Sequence, residues 1–130
     1  MIGSPIQTKA GGYMSAKIVV IYPTPADAAE FERAYTEDHA PMVTPDSFPG
    51  ITKFVQVTVA GTPNGSEPPF ARIAELHFDS IGDLMAAAGG PGAAKAVGHA
   101  TEISTGGAPI VLVCEESTTE FNEQKQAQGN

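Results

Sequence analysis

The stretch that most constrains this chain runs from Ile18 to Pro41, IVVIYPTPADAAEFERAYTEDHAP, where prolines close first an apolar run and then an amphipathic one. Ile18 to Tyr22 is continuously apolar and rich in β-branched residues, which suit a pleated, half-buried surface. Pro23 and Pro25 cannot donate to a strand ladder, so the strand ends there. Asp27, with Glu30 three residues later, is a capping-box pair that satisfies the orphan amides of a helix start. At about 100° per residue, Ala28, Phe31 and Tyr35 fall on one stripe, with Glu30, Arg33 and Glu37 on the other side. That pattern is a helix laid on a sheet. Pro41 disfavours helical geometry at Ala40 and predicts a helix that stops near His39. His39 and Asp38 are both predicted at the seam between helix and sheet, at the negative helix end, where the dipole favours an imidazolium.

Downstream, PMVTPDSFP (41–49) holds three prolines and reads as a loop of restricted backbone. Gly50 opens ITKFVQVTVA, with Ile51, Val55, Val57 and Val59 on one parity and Thr52, Phe54, Gln56 and Thr58 on the other. GTPNGSEPP (61–69) is a hairpin connection. The next strand, FARIAELHFD, places Arg72, Ala74, Leu76 and Phe78 on one side and Ile73, Glu75 and His77 on the other. Ser80 with Asp83 starts a second helix that Gly89 and Gly90 terminate, and Pro91 opens another helical segment with Ala93, Ala94, Val97 and Ala100 as a small-residue face. In APIVLVCEE, Pro109 points to a strand that begins at a sheet edge or terminus.

The order β-α-β-β-α-β, with right-handed crossovers, predicts an α+β, ferredoxin-like protomer: a four-stranded antiparallel sheet with helices on one face. Strands this apolar do not leave the other face in water. A second copy of the chain is therefore expected to cover it, giving a homodimer with twofold symmetry.

Charge and length narrow the function. The 130 residues make one domain, large enough to bury roughly two thirds of the unfolded surface. Seven basic against fifteen acidic residues, a net charge of -8, argue against nucleic acid and anionic membranes as partners. No run of about 18 apolar residues suggests a membrane span. Cys114 is the one cysteine, so no intrachain disulfide can form and the cytoplasm is the default compartment. Residues 1–15 carry no apolar secretory core and are read as an extension, disordered or docked, with Met14 as a candidate start; 16–116 are the folded domain and 117–130 a polar tail.

The strand-turn-helix IYPTPADAAEFERAYTEDHAPM, the FPGI entry to the second strand and ARIAELHFDSIGDL resemble the EthD family of the dimeric α+β barrel superfamily. The most specific element is the helix that ends on an aromatic, three spacers, His, one residue and Pro, met by Tyr35, His39 and Pro41. The resemblance implies a protomer that dimerises through its sheet to form a dimeric α+β barrel, with His39 at the edge of a small cleft. The family is named from ethyl tert-butyl ether degradation, and the superfamily includes cofactor-free monooxygenases, isomerases, dehydratases and decarboxylases. His99 stands where the family is expected to carry an acidic residue.

The candidate catalytic residue is therefore His39, as general acid or base on a small hydrophobic carbonyl, lactone or phenolic compound. Tyr22 and Tyr35 are candidates to orient substrate, and Glu75 with His77 to line the same cleft; Tyr35 as core and Glu75 with His77 as a dimer-interface pair are the structural alternatives. For His39 the alternative is a cap on the last helix carbonyls. No cofactor or metal is expected, because His39, His77 and His99 are scattered without ligand spacing. The competing function is a non-catalytic protein that binds a small hydrophobic ligand.

Overall fold

The computed structural model describes residues 15–121, so the extension expected over 1–15, except Ser15, which opens the first strand, and most of the tail lie outside the described residues. Four strands, β1 (Ser15–Pro23), β2 (Ile51–Thr58), β3 (Phe70–Phe78) and β4 (Ile110–Glu116), form one antiparallel sheet in the order β2-β3-β1-β4. This is the ferredoxin-like arrangement. Helices α1 (Ala28–Arg33), α2 (Ile81–Ala88) and α3 (Pro91–Ile103) cover one face. Asp27 and Ser80 cap α1 and α2 through their side chains, accepting from the amides of Glu30 and Asp83.

The first helix ends otherwise than predicted. After α1 the chain widens into a π-helical turn, Ala34–His39, and tightens into a 3-10 turn, Ala40–Met42, that contains Pro41. Ala40 keeps right-handed helical angles, and its amide donates to Tyr35, five residues back. The extra residue in the turn re-registers the carbonyls ahead of the proline ring, so helical backbone continues past His39 where a regular α-helix would clash. It also rotates the end of the helix: Tyr35 and His39 are both buried, while Asp38 is exposed and pairs with Arg33 at 3.3 Å.

A bulge in β2 changes a second expectation. Ile51 lies opposite Phe78 and Lys53 opposite His77, so Thr52 is the extra residue and its hydroxyl donates to the His77 carbonyl at 3.1 Å. Ile51 and Phe54 consequently share the helix-covered face, although their sequence parity differs. Val55 and Val57 point the other way.

Two clusters fill the space between sheet and helices. One joins Ala16, Ile18, Leu76 and Phe78 to Phe48, Leu84, Ala93 and Ala96 beneath α2 and α3; the other joins Tyr22, Phe31, Tyr35 and Ala100. Phe48 reaches the core because the loop before β2 is tied down. Ser47 donates to the Met42 carbonyl at 2.6 Å and accepts from the Thr44 amide at 3.0 Å. That loop lies so close to α3 that a Cβ on Gly92 would sit 2.5 Å from the Ser47 carbonyl oxygen. Burial of each large side chain contributes about 1.5–3 kcal/mol.

Candidate active site

Between the two clusters the alanines of α3 are too short to close the layer, and a cavity of about 120 Å³ remains. Ile18 and Val20 of β1, Leu76 of β3, and Ala93, Ala96 and Ala100 of α3 are among the residues of its wall. The lining residues Val111 and Val113 of edge strand β4 are 44 % and 53 % exposed, which puts the mouth between α3 and that strand. A cavity of about 150 Å³ takes a benzene ring. This one is of comparable size and opens at its mouth.

His39 and Tyr22 supply the polar groups of this wall. The π turn carries His39 inward until it is 5 % exposed, with the Tyr22 ring edge-on at 6.4 Å and the Tyr35 ring at 5.8 Å. Its Nδ1 lies 3.0 Å from Nδ1 of His99, the two rings stacked 19° from parallel. The imidazole is thus committed to His99 and does not serve as the carbonyl cap. The expectation of a dipole-stabilised imidazolium is also overturned: burial first, and the neighbouring His99 second, push the His39 pKa down to about 4. At neutral pH the His39 imidazole is uncharged.

The other sequence candidates separate. Tyr22 lines the cavity, and burial pushes its hydroxyl pKa upward, so it stays a neutral phenol. Tyr35 packs behind His39, outside the wall, with the Arg72 guanidinium 4.2 Å over its ring and Arg72 itself paired to Glu32. The Tyr35 hydroxyl and the Arg72 Nε are buried without a hydrogen-bond partner among the described residues. Glu75 and His77 do not reach the cavity. Their places opposite Val19 and Lys17 put them on the helix-free face, so the sheet itself stands between them and His39. There His77 Nε2 lies 2.9 Å from Glu75, and Lys17 bridges Glu75 at 3.2 Å and Glu116 at 2.9 Å. Burial raises the Glu75 pKa, but the hydrogen bonds from His77 and Lys17 bring it below its ordinary value.

His99 is the residue that sequence reasoning did not place in the site. It falls three residues after Ala96, on the face of α3 that buries Ala93, Ala96 and Ala100, whereas the sequence pattern put that face on Ala93, Ala94, Val97 and Ala100, of which Ala94 and Val97 are exposed. Among the described residues no three His, Cys, Asp or Glu side chains converge as a metal site, and no helix is long and apolar enough to cross a membrane.

Fold and cavity together define a ferredoxin-like α+β protein with a small apolar pocket and a buried imidazole. The family model of the EthD domain matches residues 23–100, and the chain belongs to the EthD family. A curated relative, an uncharacterised 11.0 kDa protein from the thcB-thcC intergenic region of Rhodococcus erythropolis, is 25 % identical over 101 residues, 78 % of this chain and 95 % of that one. Among solved structures, an ethyl tert-butyl ether d (EthD) family protein from Bacillus halodurans matches with a TM-score of 0.71 at 24 % identity, covering 79 % of this chain and 99 % of that one. A hydroxynitrile lyase from Passiflora edulis matches with a TM-score of 0.62 at 14 % identity, covering 84 % and 99 %. A dimeric ferredoxin-like protein of unknown function from Bacteroides fragilis matches with a TM-score of 0.56 at 15 % identity, covering 78 % and 95 %. These structural likenesses establish the shared fold.

Proposed function

We propose that this protein is an acid/base enzyme of the isomerase or lyase type, acting on a small, uncharged carbonyl, lactone or phenolic compound, with His39 as the group that moves the proton. The observation that carries this reading is a neutral imidazole set in the wall of an otherwise aliphatic and aromatic cavity. A charged ligand entering that cavity would lose its hydration with no opposite charge to meet it, so the pocket selects neutral molecules. Proton transfer by one imidazole needs no cofactor. Tyr22 is the second polar group within the wall and would orient the substrate oxygen.

We also propose a homodimer formed through the helix-free sheet face. Val19, Ile21 and Ile73 on that face are partly exposed and Leu112 is 45 % exposed, an apolar surface that a second copy would bury. The Bacteroides protein of the same fold is described as dimeric, which supports a dimer.

Titration with phenol, γ-butyrolactone and benzoate, followed through the histidine ring resonances by NMR, tests the site. Phenol and the lactone are expected to move the His39 signals and benzoate to leave them. Benzoate binding as tightly as phenol would sink the neutral-ligand reading. Affinity retained in His39→Gln, with no proton exchange catalysed by the wild type on any bound ligand, would identify a binding protein instead.

A further inference from the structure

We infer that His99 is the proton exit of this site: it accepts the proton that His39 displaces when His39 takes one from a molecule in the cavity, and hands it to solvent. The inference rests on the acid/base reading of His39 and adds the second residue that reading lacks. Two neutral imidazoles carry one N–H each. With their Nδ1 atoms 3.0 Å apart, one must donate and the other accept, because two facing lone pairs or two facing N–H groups would repel. When Nε2 of His39 gains a proton, its Nδ1 proton can pass along the contact to His99, exchanging donor and acceptor with no displacement of a heavy atom.

Because Nδ1 of His39 is engaged with His99, Nε2 is the ring nitrogen left to meet a ligand in the cavity. The step then balances. The substrate X–H bond breaks as His39 Nε2–H forms, and His39 Nδ1–H breaks as His99 Nδ1–H forms. The electron pair of X–H stays on the substrate, which becomes an anion, while His39 ends neutral in its other tautomer. The positive charge rests on His99, which sheds a proton to water. No oxidant or reductant takes part.

Position explains why the proton should travel this way. His39 is 5 % exposed, and its surroundings oppose an imidazolium there. His99 is only partly buried on α3, where a charge can be hydrated. The other titratable groups around the pair offer no alternative route. Tyr22 on β1 and Tyr35 on the helical turn are phenols whose ionisation burial opposes. Arg72 on β3 is a cation already paired with Glu32. On α3 itself Lys95 and Glu102, one turn to either side of His99, are both exposed.

The test uses 5-nitrobenzisoxazole, a neutral probe that opens irreversibly when a base removes its single reactive carbon-bound proton. Wild-type protein is expected to open it faster than His39→Gln and more slowly in D2O than in H2O, since the exchangeable His39 Nδ1–H moves in the same step. His99→Phe keeps a stacked ring without a relay, and its kcat should fall by about 10²-fold with KM little changed and the D2O effect lost. His99→Ala leaves space for a ring, and added imidazole should restore its rate. If His99→Phe works at the wild-type rate, or keeps the D2O effect while imidazole fails to rescue His99→Ala, the relay is wrong and the base reading stands. If wild type is no faster than His39→Gln, both fall.

Discussion

The amide of Ala40 donates to the carbonyl of Tyr35, five residues back instead of four, and that offset decides where His39 points. In a regular α-helix His39 and Asp38 would straddle the stripe defined by Ala28, Phe31 and Tyr35. With the wider turn His39 follows Tyr35 into the interior and Asp38 is left on the surface beside Arg33. The pocket's imidazole is therefore a product of backbone geometry as much as of residue identity. π turns of this kind recur at functional sites.

Tyr35 offers the simplest test of this packing. Its hydroxyl is buried with no well-formed hydrogen bond among the described residues, only the Arg72 guanidinium nearby, so its desolvation is poorly compensated. Tyr35→Phe keeps the ring under the Arg72 guanidinium and removes the orphan oxygen. Urea unfolding at neutral pH should show the variant equal to wild type or more stable by up to about 1 kcal/mol. A loss of more than about 1 kcal/mol would mean that the hydroxyl has a partner after all.

Two glycines should respond in opposite directions to the same change. A Cβ on Gly106 would lie 2.0 Å from the carbonyl oxygen of Thr24, where backbone meets backbone and nothing can rotate away. Gly106→Ala should destabilise by more than about 2 kcal/mol. Gly98 lies within α3, and a methyl group there would meet nothing within 4 Å, so Gly98→Ala should stabilise by about 0.5–1 kcal/mol through helix propensity alone. Thermal melts of the two variants beside wild type suffice to check the signs.

How far the sequence reaches is visible in these same elements. The capping pairs at Asp27 and Ser80, the proline-closed strands and the edge position of β4 are local signals, and the structure carries all of them. Three features were beyond local reasoning. The bulge at Thr52 follows from pairing with β3 and leaves no mark in the alternation of β2 itself. Alternation places Glu75 and His77 together but cannot say which face the helices take, because β3 offers apolar residues on both. His39 and His99 are sixty residues apart, and their contact exists because α3 docks against the π turn. Periodicity reports which residues share a face, and only docking reports which faces meet.

The buried His39 makes stability depend on pH with a definite sign. Its pKa falls from an ordinary value of 6.5 in the unfolded chain to about 4 in the folded one, so between these values the unfolded state binds a proton that the folded state refuses. Stability is full above about pH 6.5 and declines as pH falls towards 4, by up to about 3 kcal/mol. His39→Gln lacks this titration. Urea unfolding of both proteins at pH 7 and pH 4.5 should show wild type losing more than the variant, and equal losses would place the acid sensitivity elsewhere.

Leu112 probes the proposed dimer. It lies opposite Val19 on the helix-free sheet face, 45 % exposed in the single chain, within an apolar patch that continues through Ile21 and Ile73. Twofold symmetry would give each substitution there two places in one interface, so Leu112→Glu buries two unpartnered carboxylates if the dimer persists. Sedimentation of wild type should report twice the 13.4 kDa of one chain, and of Leu112→Glu a single chain with its secondary structure retained. Because the patch is apolar, raising the salt concentration should not dissociate the wild type, whereas an assembly held by the Lys17, Glu75 and Glu116 cluster at one end of the face would weaken. A wild-type protein that sediments as one chain at micromolar concentration would leave that sheet face without the covering that its residues call for, and would remove the dimer from the proposal.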